Sequence, residues 1–137
     1  MMHFIADTSF VVALINADDQ YHQQAKTLYR AINSVILPYI TLAEIAYFVQ
    51  HKKGVMAWSL FLKKLPDSKF QLECPTTDDL VRSAQILDIY ADTRIDFVDA
   101  TVIAIAERFN ITKILTLDRR DFSIVRPTHC IAFTLLP

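Results

Sequence analysis

Short apolar blocks alternate along this chain with longer segments whose apolar positions recur at helical spacing. His3–Ala6 reads as a buried strand ending at Asp7, and Thr8–Asn16 as the helix that follows it. Across Tyr21–Ile32, the apolar residues Ala25, Leu28, Tyr29 and Ile32 mark one face of a second helix. Val35–Leu37 is a second short strand, closed by Pro38. Thr41 followed by Glu44 has the form of a capping box and opens a helix to about His51. Gly54 interrupts that pattern, which resumes over Val55–Leu65 and stops at Pro66. Lys69–Leu72 reads as a third strand, and Thr77 begins a helix to about Ala91 with Asp78 and Asp79 in its first turn. Asp96 is a good N-cap for a helix from Phe97 to about Phe109. Lys113–Leu117 is then a strand ending at Asp118, and Cys130–Leu135 a final one. Strands alternating with helices predict an α/β fold, a three-layer α/β/α sandwich around a mainly parallel sheet.

The apolar stretches carry a second signal. Met1–Ala17, Thr41–Val49 and Phe97–Ala106 each contain a single formal charge, and each time it is a carboxylate: Asp7, Glu44 and Asp99. A fourth acid, Asp118, ends the apolar run Ile114–Leu117. Carboxylates are rarely buried unless paired, hydrogen-bonded or bound to a metal, because stripping their water is costly. Each acid has a local role open to it: Asp7 as a helix cap, Glu44 and Asp99 as partners in capping boxes, Asp118 as a turn residue. Helix caps are usually solvated, however, and need no apolar surroundings. Taken together, the four acids favour a shared cation. In open α/β sheets ligands bind beyond the carboxyl ends of the strands, near the point where strand order reverses. Acids that follow strands or open helices at that edge can converge there.

Composition narrows the chemistry. The chain has 137 residues, 53% of them hydrophobic and 21% charged, which suits one domain spanning residues 1–137 with no disulfide staple. Cys74 and Cys130 lack CxxC spacing and read as reduced, buried thiols of a cytoplasmic protein. His3, His22, His51 and His129 have no zinc-type spacing. No basic leader or membrane-length apolar run is visible, which also predicts a cytoplasmic protein with no membrane partner. The single glycine, Gly54, excludes Gly-rich phosphate loops. A net charge of −1 supplies no global basic field for nucleic acid, although such a field can be local. Oxygen-only donors suit Mg²⁺ or Mn²⁺ rather than zinc or copper. Four carboxylates can hold one such ion or two, and the chemistry implied is metal-assisted phosphodiester hydrolysis.

The segments Ile5-Ala6-Asp7-Thr8-Ser9, Leu42-Ala43-Glu44, Asp96-Phe97-Val98-Asp99-Ala100 and Leu115-Thr116-Leu117-Asp118 resemble the PIN-domain family, most closely its VapC-like toxin ribonucleases. Their order, spacing and the total length agree, so the resemblance spans essentially the whole chain. It implies an Mg²⁺- or Mn²⁺-dependent endoribonuclease acting on single-stranded or loop RNA. By match of position, Asp7, Glu44, Asp99 and Asp118 form its catalytic metal site. Ser9 or Thr8 orients a carboxylate or water, and Thr116 does the same beside Asp118. Asp96 is preferred as a cap, and Asp121 competes with Asp118 for the fourth position. The resemblance further implies a homodimer neutralised by a small antitoxin. The segment Ile40–Val49 with Tyr47 and Phe48, followed by Trp58, Leu60 and Phe61, offers material for either surface.

RNA also requires cations near the acids. Arg119 and Arg120 adjoin Asp118 directly and Arg94 precedes Asp96; Lys52 with Lys53, and Lys63 with Lys64, lie further out. Two other classes fit the residues less well. A haloacid-dehalogenase-like phosphatase needs a second Asp where this chain has Ser9. A silent PIN-like or receiver-like binding module is the alternative, but a receiver needs a Lys after a strand and Lys113 precedes its own.

Overall fold

The computed structural model describes residues 4–137. Its five strands are β1 (Phe4–Ala6), β2 (Val35–Pro38), β3 (Phe70–Glu73), β4 (Lys113–Leu115) and β5 (Thr134–Leu136). They form one sheet in the order β3-β2-β1-β4-β5, with every neighbouring pair parallel. The helices are α1 (Thr8–Ile15), α2 (His22–Ala31), α3 (Thr41–Lys53), α4 (Val55–Lys64), α5 (Thr77–Ile89), α6 (Phe97–Arg108) and α7 (Arg119–Ile124).

Strand alternation divides the core in two. Ile5 stands in register with Ile36 on one side and Ile114 on the other. All three face the layer of α5 and α6, packing with Ile86, Val102, Ile103 and Ile105. The intervening residues Ala6, Val35, Leu37 and Leu115 face the opposite layer, against Phe10 and Val11 of α1, Ala25 of α2, and Ile45 and Val49 of α3. A sheet covered on both faces has continuous apolar strands, as β1 and β2 are here, and the expected three-layer sandwich follows. Because β1 is central, the chain runs outward through β2 and β3 and then crosses to β4. The reversal in strand order therefore falls between β1 and β4.

Several local expectations change. Helix α3 begins one residue earlier than a Thr41 cap requires: Ile40 is its N-cap, and the Thr41 hydroxyl donates to Pro38 O at 2.7 Å. The buried strand-end carbonyl of Pro38 outcompetes the capping box for that hydroxyl. Capping boxes form instead at Thr76–Asp79 and Asp96–Asp99. Strand β4 stops at Leu115, and the segment after Asp118 coils into α7, which the sequence pattern did not predict. β5 is confined to Thr134–Leu136, shorter and later than Cys130–Leu135. Cys74 is exposed and Cys130 half-buried, so neither is the buried thiol expected. The predicted start of the first strand at His3 lies outside the described residues.

Ile5 is fully buried in the central strand of the sheet. Ile5→Ala is expected to lower unfolding free energy by about 2–5 kcal/mol, measured by urea denaturation followed by circular dichroism. A loss below about 1 kcal/mol would contradict the central position of β1.

Candidate active site

Asp7 begins where β1 ends. Its amide donates to Leu115 O at 3.1 Å, carrying the β1–β4 ladder one step past the strand. Its side chain caps α1: Oδ1 accepts from Phe10 N at 3.0 Å and from Ser9 Oγ at 2.7 Å. Thr116 Oγ1 donates to Oδ2 at 2.5 Å. The same hydroxyls are used twice. Leu117 N donates to Ser9 Oγ at 2.9 Å, and Asp118 N donates to Thr116 Oγ1 at 2.8 Å. This network staples the end of β1 to the segment leaving β4, across the strand-order reversal. Asp7 is 5% exposed. Burial pushes its pKa up to about 6, against the opposing bonds from Thr116, Phe10 and Ser9.

Asp99 lies in the first turn of α6, where Asp96 is the N-cap. Asp99 N donates to Asp96 Oδ1 at 2.9 Å, and Asp96 N donates to Asp99 Oδ2 at 3.2 Å. Burial raises the Asp99 pKa to about 8, with the charges of Asp96 and Asp118 adding to it. Asp118 caps α7, accepting from Asp121 N at 3.4 Å. Its pKa is also raised, by burial first and by Asp121 beside it, while Arg94 opposes the shift. Carboxylate oxygens of Asp99, Asp118 and Asp121 all come within 4.8 Å of one another.

Asp7, Thr8, Ser9, Glu44, Asp99 and Asp118 line a single open pocket of about 560 Å³. The structure thus brings together the four acids singled out in the sequence. Glu44 reaches it from the first turn of α3 and makes no hydrogen bond or ion pair among the described residues. Thr8 Oγ1 is buried on the same wall without a hydrogen-bond partner among the described residues. Asp121 is not part of the lining; it is buried behind Asp118, with Arg94 Nε at 3.8 Å from its Oδ1. The three arginines expected near the acids do not line the pocket. Arg94 faces Asp121, Arg119 Nη1 donates to Pro137 O at 2.6 Å, and Arg120 is exposed elsewhere on α7.

Other side chains complete the rim. Tyr21, Asp18 and Asp19 come from the α1–α2 connection, and Phe48 and Lys52 from α3. The α3 residues had a signal in the sequence. Glu44, Phe48 and Lys52 are spaced at i, i+4 and i+8 and so share one helix face. The α1–α2 connection had none, because only the tertiary fold returns it to the acids.

The donor set suits a hard divalent cation. It consists of oxygens, several of them carboxylates held above their ordinary pKa by burial, with an orphaned hydroxyl beside them. Six acids line the pocket against one ammonium, Lys52, so a bound cation relieves an existing imbalance of charge.

Comparison with known proteins places this geometry in context. The family model described as PIN domain matches residues 4–126. The chain is 33% identical to Ribonuclease VapC26 of Mycobacterium tuberculosis over 97% of its own length and 99% of that protein's. Among solved structures, Mycobacterium tuberculosis VapC20, titled a Sarcin-Ricin loop cleaving toxin, superposes with a TM-score of 0.79 at 24% identity, covering 85% of this chain and 91% of that one. VapBC2 from Rickettsia felis, bound to a DNA fragment from its promoter, gives 0.68 at 19% identity over 98% and 97% of the two chains. At such identities the two structures establish the fold alone. The match to the family model across most of the chain, together with the VapC26 relative, shows that the chain belongs to the PIN domain family.

Proposed function

We propose that this chain, as one domain over residues 1–137, is an endoribonuclease that hydrolyses RNA phosphodiester bonds with Mg²⁺ or Mn²⁺. The observation that carries the reading is the convergence of Asp7, Glu44, Asp99 and Asp118 in one pocket, three of them with raised pKa values. The full-length relative named a ribonuclease supports the RNA substrate. A similar solved structure is titled a toxin–antitoxin complex from Klebsiella pneumoniae, and VapC20 is titled a toxin, which supports assignment as the toxin of such a pair with a small antitoxin as partner. Exposed Tyr47, Phe48, Met56 and Leu60 on α3 and α4 offer apolar surface for the antitoxin or for a homodimer. No helix of the described residues is long and apolar enough to cross a membrane.

In this reading Asp7, Glu44, Asp99 and Asp118 hold the cation. When bound, it supplies Lewis acidity at the scissile phosphate and makes water more acidic. Ser9 and Thr116 fix the orientation of Asp7, and the Asp96 amide fixes Asp99 through its Oδ2. Glu44, free of internal hydrogen bonds, can take a proton from the attacking water at a carboxylate oxygen. Asp121 backs Asp118 and holds Arg94 beside it, while Thr8 lines the pocket with its hydroxyl buried and unpartnered among the described residues. Arg119 and Arg120 are exposed on α7, where they can contact RNA phosphates beyond the pocket.

Cleavage of a mixed pool of folded RNAs by the purified protein is expected with Mg²⁺ or Mn²⁺ and to vanish in EDTA. Asp7→Asn and Asp99→Asn should each abolish it while circular dichroism stays native. Thr116→Val, which removes only the support of Asp7, should lower the rate by about 10- to 100-fold. Full activity in both Asn variants would overturn the site.

The raised pKa values also predict how metal-free protein responds to pH. Asp7 and Asp99 titrate near 6 and near 8 in the folded chain against an ordinary 3.8. The folded state therefore holds protons that the unfolded state has released. The stability they contribute is full below about pH 4 and is lost as pH rises through the folded values. The melting temperature in EDTA should fall between about pH 5 and pH 8.5. Mn²⁺ should restore it most at the alkaline end. A flat profile insensitive to Mn²⁺ would count against a carboxylate metal site.

A further inference from the structure

Two exposed aromatic rings stand on the wall of the acid pocket, and metal chemistry does not require them. Phe48 and Tyr21 are each 40% exposed, and both line the pocket that holds Asp7, Glu44, Asp99 and Asp118. Neither ring is a core residue left over at the surface. On α3 the core face is taken by Ile45 and Val49, while Phe48 lies one turn beyond Glu44 on the pocket face and Lys52 one turn beyond Phe48. With a rise of 1.5 Å per residue, this face presents a carboxylate, a ring and an ammonium at intervals of about 6 Å, leading away from the acids.

The Phe48 ring is held by a neighbour, and the Tyr21 backbone is fixed within its connection. Tyr47 meets Phe48 edge-on, with centroids 5.4 Å apart at 79°, and itself stacks on His51. Tyr21 sits in a connection braced at several points. Asp19 Oδ1 accepts from Tyr21 N at 2.8 Å, and Asn16 Oδ1 accepts from Asp18 N at 3.0 Å. Lys53 pairs with Asp18, tying the connection to the end of α3.

We propose that Phe48 and Tyr21 form a stacking subsite for an unpaired nucleobase of the RNA strand whose phosphate lies at the acids, with Lys52 on a neighbouring phosphate. The proposal rests on the nuclease reading and deepens it by naming the side chains that would hold an unpaired base. An aromatic face accepts any base, since every base has a π face, and a base is available to it only when unstacked from its neighbours. A protein partner gains equally from apolar surface anywhere on the molecule. A nucleotide needs a ring, a cation and a phosphate site together in one concavity, and Phe48, Tyr21, Lys52 and the acids line the same pocket. The pocket's volume of about 560 Å³ accommodates a ligand of nucleotide size.

The test uses the full chain and a synthetic single-stranded oligoribonucleotide carrying the strongest cut site of the unsubstituted protein, read by cleavage kinetics and by fluorescence anisotropy in Ca²⁺. Phe48→Ala and Tyr21→Ala should each weaken binding and kcat/KM by about 5- to 100-fold, with Mn²⁺ affinity unchanged. Phe48→Tyr and Tyr21→Phe should restore both, whereas Phe48→Leu should not, because Leu supplies apolar contact without a ring. Removing single bases in turn should locate one position at which an abasic nucleotide erases the difference between Phe48→Ala and the unsubstituted protein. Lys52→Ala should weaken binding on all sequences and reduce the slope of log affinity against log salt by about 1. Unaltered binding and cleavage in both Ala variants would overturn the subsite while leaving the nuclease standing, as would variants that lose only the antitoxin. If the protein cuts no RNA, the strand's anisotropy is still read on a generic oligouridylate. Weakened binding in both Ala variants then retains the subsite and rejects the nuclease, and unchanged binding rejects both.

Discussion

The burial of the Asp7 carboxylate at the reversal of strand order is the constraint around which this end of the molecule is organised. A carboxylate removed from water demands hydrogen bonds, and Asp7 receives them from Phe10 N, Ser9 Oγ and Thr116 Oγ1. Two of those donors are hydroxyls whose remaining capacity binds the backbone of Leu117 and Asp118. One side chain therefore couples the central strand to the segment that delivers the fourth acid. The bonds reduce the cost of burial without removing it, since the Asp7 pKa stays raised. A group in that condition is stable but unsatisfied, which is what a cation ligand must be.

Local and functional roles coincide at these residues rather than compete. Asp7 is at once the N-cap of α1 and a wall of the pocket, and Asp99 is both the third residue of a capping box and a wall of the same pocket. A carboxylate has about four lone-pair sites, so a cap that takes one or two leaves the others for an ion. The requirement for a helix to begin at a strand's carboxyl end thus already places acids where an α/β sheet binds its ligand.

That coincidence explains what the sequence disclosed. A lone acid within a long apolar run is conspicuous, and Asp7, Glu44 and Asp99 were all marked in that way, as was the parallel α/β layering by its alternating periods. Features decided by competition between neighbours were hidden. Thr41 has a capping-box pattern, but the Pro38 carbonyl takes its hydroxyl. The helix after Asp118 has only six residues, too few to show a period. Cations are a further case. Arg119 and Arg120 adjoin an acid of the site in the chain but are not among the pocket's lining residues, whereas Lys52, distant in sequence from every acid of the site except Glu44, is. Tyr21 reaches the rim only because the α1–α2 connection folds back, which no local pattern encodes.

How the fold tolerates so many acids in one place follows from its helices. Asp7 caps α1, Glu44 lies in the first turn of α3, Asp99 in that of α6, and Asp118 caps α7. Each helix presents its amino end, with partial positive charge and unpaired amides, to the acid it carries. Such an end stabilises a carboxylate by about 0.3–1 kcal/mol, modest singly but repeated here around one cavity. A helix dipole carries no net charge, so these ends steady the cluster without filling the place of a cation. Had the fold instead paired each acid with a lysine or arginine, an ion would have to displace those partners; Arg94 stands beside Asp121, but among the described residues no cation pairs with Asp7, Glu44 or Asp99. With Asp7 and Asp99 still raised to about 6 and about 8, the charge left over after the helix ends have acted is negative and concentrated at the pocket. The fold thus stabilises the arrangement of acids but leaves their charge uncompensated, and it is this remainder that attracts a divalent ion.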